Sequence, residues 1–321
     1  MRTILVSGAS GIVGYGILRS LRRSGKTLRL IGTSMYDDSP AQGFCDIFER
    51  APPTRDAGYL KWLCSIISAH DVDLIIPGIE DDMYRWSESS GELAQGGKVK
   101  ALLNDPRLIA LCKDKWRFFE AIQGSGLSCV IDTTLETDFD TLASRFGLPF
   151  LLKPRLGFGS KGIVRVDSPG TFAPHMAKIG PILMAQPIMG TEEEEFTTSA
   201  FCDGKGGIDA YMTLRRKLST EGYTDRAEVV HVDDIAEVAG GLCDLFRPIG
   251  PTNFQFRRHD GALKLLEINP RVSSSTSIRT AFGYNECAMA VEYYLEGKTP
   301  KQPVIRSGRA VRYTEDLIFY S

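Results

Sequence analysis

A chain of 321 residues with 43% hydrophobic and 24% charged residues has an ordinary globular composition and enough length for two or three compact units. Its net charge of −2 gives no reason to expect a nucleic-acid or acidic-membrane partner, and no apolar run approaches the roughly 20 residues of a membrane helix. The 7 scattered cysteines form no Cys-x-x-Cys pair and the amino terminus runs straight into a strand, so the reading is a cytoplasmic protein with reduced thiols and no secretory signal. Along the chain, Thr3 to Ser7 is a short strand, Gly8 to Gly14 a glycine turn, and Ile17, Leu18 and Leu21 mark the helix that follows. Strands over Leu28–Gly32 and Asp71–Pro77, with a helix over Tyr59–Ala69 between them, extend an alternating pattern that implies a parallel sheet in an α/β unit. Glu80 and Asp81 fall at the carboxyl end of a buried strand, where open α/β sheets hold ligands; capping the next helix is the plainer role for them.

Asn104-Asp105-Pro106 is a turn and a boundary. One amphipathic helix is expected over Leu108–Gln123, with Lys113, Asp114 and Lys115 near its middle, and a second over Phe139–Phe146. The apolar strand that follows ends in Lys153 and opens a loop containing Gly157, Gly159, Ser160 and Gly162 before Ile163–Val166 returns. Glycines let backbone N–H groups close over phosphates, and Lys153 adds a point charge beside them. This reads as a hairpin flap rather than a Walker loop.

Pro181 to Gly190 is a strand running into a connector that offers backbone groups and apolar walls to an adenine ring. Of the glutamates 192–195, the last enters a strand and is placed to accept from ribose hydroxyls, with Glu193 and Glu194 as near alternatives. Arg215, Arg216 and Lys217 end the strand Ala210–Leu214 and face either phosphate or water. After a helix over Val232–Phe246, Thr252–Phe256 pairs with Leu263–Ile268 across a turn at His259-Asp260-Gly261, which sets Gln255 beside Glu267. Glu267 and Asn269, two apart on a strand, share a face and supply the hard oxygen atoms that Mg2+ prefers beside phosphates. Arg271, past Pro270, brings a planar fork suited to a phosphoryl group. Ser273 and Ser275 either meet a substrate or cap a helix; a helix over Asn285–Leu295 and a strand over Ala310–Phe319 end the chain.

These residues together resemble the ATP-grasp superfamily, in particular the ATP-binding halves of the carbamoyl-phosphate synthetase large subunit and related ATP-dependent carboxylate–amine ligases. The likeness spans nearly the whole chain, and Asn253 to Gly283, with its Asn-Pro-Arg-Val-Ser-Ser-Ser run, carries most of it. It implies a Rossmann-like pre-ATP-grasp domain at 1–104, a small lobe with the flap at 105–185, and a large lobe with the metal and catalytic site at 186–321. By resemblance, Lys115 and Lys153 contact the phosphates, the flap covers them, backbone at Gln186 and Ile188 holds adenine, and Glu195 the ribose. Gln255, Glu267 and Asn269 bind Mg2+, for which Mn2+ can substitute, and Arg271 holds the transferred phosphoryl, helped by Arg215 or Arg216.

The implied reaction makes an acyl phosphate from ATP and a small carboxylate, which an amine then attacks, in a monomeric or homodimeric enzyme. Ser199 stands where many members carry an acid and Gln186 where Glu is frequent. One such unit in 321 residues leaves no room for a second synthetase half, so carbamoyl phosphate synthesis by this chain alone is not expected. The alternatives are a nucleotide binder without turnover, or an NAD(P)-binding oxidoreductase built on the glycine loop.

Overall fold

The computed structural model describes residues 1–95, 98–157 and 161–319. Strands β1 (Arg2–Val6), β2 (Leu28–Ser34), β3 (Ile47–Arg50), β4 (Leu74–Ile76) and β5 (Lys100–Ala101) form a parallel sheet in the order β3-β2-β1-β4-β5. Helices α1 (Ile12–Arg22), α2 (Tyr59–Ala69), α3 (Glu80–Glu88) and α4 (Ser90–Gln95) fall between its strands. The continuous apolar runs of β1 and β4 follow from burial on both faces: Ile4 and Val6 pack with α1, and Leu5 and Ile75 with α2.

The stretch expected as one helix over Leu108–Gln123 is instead two, α5 (Pro106–Lys113) and α6 (Lys115–Ile122), broken at Asp114. Asp114 leaves helical geometry (φ −118°, ψ 108°) and its carboxylate accepts from the Trp116 amide at 3.0 Å, so it caps α6. Apolar periodicity alone could not reveal the break, because both helices keep their apolar sides on the same core.

Helix α7 (Phe139–Phe146) and helix α8 (Pro169–Phe172) cover a 3-stranded antiparallel sheet of β6 (Phe150–Pro154), β7 (Val164–Val166) and β8 (Leu183–Pro187), in the order β7-β6-β8. The large sheet is antiparallel with 6 strands in the order β13-β12-β9-β10-β11-β14. Its members are β9 (Glu195–Asp203), β10 (Ile208–Leu218), β11 (Thr224–Val229), β12 (Ile249–His259), β13 (Ala262–Asn269) and β14 (Arg309–Val311). Strand β11 was not anticipated. The final strand is shorter than the expected Ala310–Phe319, pairing with β11 only from Arg309 to Val311.

Alternation along β9 divides the core. Phe196, Ala200 and Cys202 face α6 and α9 (Ile235–Phe246), while Phe201 faces the opposite side with α10 (Thr276–Ala281) and α11 (Glu286–Glu296). That second core continues through α1 into the parallel sheet, so residues 1–104 share apolar packing with the carboxyl-terminal helices. Phe118, Phe119 and Ile122 of α6 share a core with the large sheet and with Met184 of β8.

Candidate functional site

The β12–β13 hairpin places Gln255 opposite Glu267 and Asn253 opposite Asn269, the pairing the sequence implies. Glu267, Asn269 and Arg271 line a cavity of about 580 Å³ whose other wall is α3. Asn269 Nδ2 donates to Glu267 Oε1 at 3.1 Å. Burial raises the Glu267 carboxyl, but Lys115, the Asn269 amide and Lys153 together outweigh it and hold the group below its usual range, ionised at neutral pH. Arg271 reaches out of its own sheet to Glu80 Oε1 at 2.5 Å, with the two side chains 16% and 19% exposed. The first turn of α3 therefore contributes to this wall, and Asp81 lines it as well.

The break at Asp114 sets Lys115 at the first position of α6, pointing at the flap. Its backbone amide bonds the Arg155 carbonyl at 2.8 Å and its Nζ donates to the Gly157 carbonyl. Asp114 also pairs with Arg155 at 2.6 Å, so one residue caps the helix and ties it to the flap strand. Lys153 lines a second cavity of about 150 Å³. Burial lowers its ammonium to about 8, Glu267 opposing and Lys115 adding to the shift. Lys115, Gly157, Leu266 and Glu267 line both cavities, which makes them two parts of one cleft.

In the smaller part, Glu195 is buried at 3% exposure and both its oxygens are engaged. Arg216 Nε donates to Oε1 at 3.0 Å, and Arg257 Nε and a terminal nitrogen donate to Oε2 at 3.0 and 2.9 Å. Arg216 also reaches Gln255 Oε1 at 2.5 Å, so Gln255 lines the smaller part of the cleft and faces a guanidinium there. Strand alternation settles the two arginines of β10. Arg216 points inward, and Arg215 points out to pair with Glu228 at 2.5 Å, which removes Arg215 from the cleft.

Gln186 lines the cleft with its side chain buried and donating to Thr133 Oγ1 at 2.7 Å. Pro187 and Met189 line it too, while the intervening Ile188 does not. Gly162 is exposed at φ 74°, where an added methyl group would fall 3.1 Å from the Pro154 ring; Gly159 and Ser160 lie outside the described residues. Ser273 and Ser275 are buried away from both cavities: Ser273 Oγ accepts from Arg279 at 2.6 Å and Ser275 Oγ shares a hydrogen bond with Thr224 at 2.8 Å. Their hydroxyls serve packing, and the substrate-contact expectation for them is corrected.

Lys161, Arg257 and Arg85 line the cleft without having been anticipated. Arg257 was detectable, since it follows Gln255 by two positions on one strand. Arg85 was not, because α3 carries too few apolar residues to announce itself as a helix.

The amino-terminal glycine loop is filled by its own chain. A methyl group on Gly14 would fall 2.5 Å from the Gly8 carbonyl oxygen, and one on Gly78 would fall 2.1 Å from the Ser7 carbonyl oxygen. The Ile79 side chain covers Gly8. Gly8, Gly14 and Gly78 thus permit strand, helix and the β4–α3 turn to touch, a packing role that needs no ligand.

Among the described residues no three His, Cys, Asp or Glu side chains gather as a metal cluster. The donor set at the end of β13 nevertheless fits a hard cation that also takes phosphate oxygens, because an ionised carboxylate and an amide open into the cleft side by side.

Residues 182–317 match the family described as ATP-grasp in the biosynthetic pathway with Ter operon. The carbamoyl phosphate synthase large chain of Thermomicrobium roseum is 27% identical over 198 residues, 57% of this chain and 18% of that one. D-alanine–D-alanine ligase B of Chromobacterium violaceum is 28% identical over 138 residues, 41% of this chain and 43% of that one. The chain thus spans less than half the length of either curated relative. Among solved structures, N5-carboxyaminoimidazole synthetase from Staphylococcus aureus complexed with ADP superposes with a TM-score of 0.74 at 18% identity, over 95% of this chain and 80% of that one.

Proposed function

This chain belongs to the ATP-grasp superfamily, and we propose that it is an ADP-forming ligase joining a small carboxylate to an amine through an acyl phosphate. The observation that carries the reading is that Lys115 and Glu267 stand on the wall common to both parts of the cleft, with Lys153 beside them in the smaller part. Two cations against one ionised carboxylate suit a polyphosphate with its metal, and little else in so small a volume.

The smaller part takes the nucleotide: Gln186 and Pro187 beside adenine, and Lys153 and Lys115 on phosphates, with Gly157 and Lys161 next to them. Because Glu195 is already held by Arg216 and Arg257, it meets the ribose through its remaining lone pairs, with those arginines fixing its orientation. Glu267 and Asn269 would hold Mg2+, with Gln255 behind them, and a cation bound there would supply charge neutralisation for the transferring phosphoryl. Arg271 donates to Glu80, Asn269 Oδ1 and the Val272 carbonyl, and its remaining N–H donors steady the phosphoryl oxygens. A substrate carboxylate oxygen attacks the γ-phosphorus as its bond to the β-phosphate oxygen breaks, leaving ADP; the amine nitrogen then attacks the acyl carbon and inorganic phosphate departs. In this reading residues 1–104 are the Rossmann-like pre-ATP-grasp domain, 105–185 the small lobe and 186–321 the large lobe of a cytoplasmic monomer or homodimer.

ADP release from ATP and Mg2+ against pooled carboxylic acids, with hydroxylamine as a generic nucleophile, tests the reading. A pool that stimulates ADP release and yields a hydroxamate supports an acyl phosphate. ADP binding without ADP release or hydroxamate from any pool favours a binder that does not turn over.

A further inference from the structure

The larger part of the cleft contains a cation that the proposed chemistry does not use. Arg85 lines it, half-buried, and its Nε is fully enclosed without a hydrogen-bond partner among the described residues. The other charges of this cavity are engaged. Arg271 is paired with Glu80 at 2.5 Å, and Lys115 donates to the Gly157 carbonyl. Asp81, one turn before Arg85 on the same face of α3, is nearest Arg55 at 3.6 Å; Glu88, one turn after it, is paired with Lys113 at 3.3 Å. Asp82, three residues before Arg85, is buried and accepts from Thr54 Oγ1 at 2.6 Å, so all three acids within one turn of Arg85 on its own helix have other partners, and no ion pair joins any of them to it among the described residues.

A half-buried guanidinium without a counter-ion is unfavourable unless something else supplies one. The cavity offers room for that: about 580 Å³ exceeds what a single carboxylate at the metal end would occupy. Arg85, Glu80 and Arg271 line this same cavity, so one ligand within it can meet both guanidinium groups.

We propose that the carboxylate substrate bears a second carboxylate and that Arg85 binds it at the far end of this cavity. The inference rests on the ligase reading for which carboxylate reacts; the anion site itself does not. One acidic group sits beside Arg271 and the nucleotide phosphates, and the other pairs with the Arg85 fork. Such a pocket selects by the ion pair at one end, since a monoacid of equal length leaves the guanidinium unpartnered.

The test uses the full chain without nucleotide, titrated calorimetrically with dicarboxylates from malonate to adipate, with monocarboxylates of matched length, and with inorganic phosphate. ADP is titrated in parallel. The expected result is at least a tenfold preference for a diacid of one length over its matched monoacid. Arg85→Gln loses that preference while ADP affinity stays within twofold, Arg85→Lys keeps part of it, and Lys153→Met weakens ADP but keeps the diacid preference. A wild-type protein with no diacid preference at any length, or an Arg85→Gln variant that retains it, overturns the proposal. A preserved, Arg85-dependent diacid preference in a protein that does not bind ADP supports the anion site and removes the ligase reading instead.

Discussion

Glu267 and Lys153 hold each other's charge state. The carboxyl is kept ionised by the two lysines, and the lysine is kept from falling further by the carboxyl. Removing either therefore changes the other. Glu267→Ala and Asn269→Ala should each lower Mg2+-dependent ATP turnover by about 100-fold with the fold retained, as for lost metal ligands and their neighbours; unchanged turnover in both would remove the metal assignment. Lys153 has a sharper signature in pH. Its free-state value of about 8 lies below the ordinary 10.5, and a bound polyphosphate must raise it, so nucleotide binding takes up a proton. ADP affinity should hold below pH 8 and weaken as pH rises from 8 toward 10, while Lys153→Met binds weakly without that slope; calorimetry at three pH values reads the difference. Ser199 shows what one position conveys in isolation. It stands where relatives were expected to carry an acid, and its hydroxyl instead donates to the buried Glu286 carboxylate, which α11 brings to the same spot. No spacing along the chain could have paired residues 199 and 286.

Elements differed in how well local pattern described them. The Tyr59–Ala69 and Phe139–Phe146 helices have the bounds their apolar spacing implied, and the hairpin pairing of Gln255 with Glu267 followed from its turn. Strand β11 and the short β3 and β5 passed unnoticed because long-range pairing, not apolar alternation, makes them strands. The missed break at Asp114 matters most, since it turns a surface lysine into a cleft residue. Asp114→Ala loses a helix cap and the Arg155 ion pair together, for an expected destabilisation of about 1–2 kcal/mol. It should also weaken ADP binding severalfold by releasing Lys115 from the flap. A variant with the stability loss and unaltered ADP affinity would show that the cap serves the fold alone.

At the scale of the whole molecule, the cleft depends on a polar knot that lines neither of its two parts. Arg279 of α10 and Glu286 of α11 are each 0% exposed, with N and O atoms 3.6 Å apart. Arg279 also donates to Thr197 Oγ1 at 3.0 Å on β9, Asn253 Oδ1 at 2.9 Å on β12 and Ser273 Oγ at 2.6 Å just past Arg271. Asn253 is in turn the strand partner of Asn269. The same helices grip α1, where Thr280 Oγ1 donates to Ser20 Oγ at 3.0 Å and Asn285 Nδ2 to the Ser20 carbonyl at 2.8 Å. One ion pair thus links the amino-terminal parallel sheet, the large sheet and the metal end of β13. A buried pair of this kind adds little net stability, because desolvation offsets attraction, yet breaking it leaves a bare charge in the core. Arg279→Met and Glu286→Gln should each destabilise by about 3–5 kcal/mol, and the double variant by clearly less than their sum. Denaturant midpoints of the four proteins give the coupling directly. Additive losses would mean that the two side chains act independently, and that Arg279 serves through its hydroxyl and amide partners on β9 and β12 rather than through the charge of Glu286.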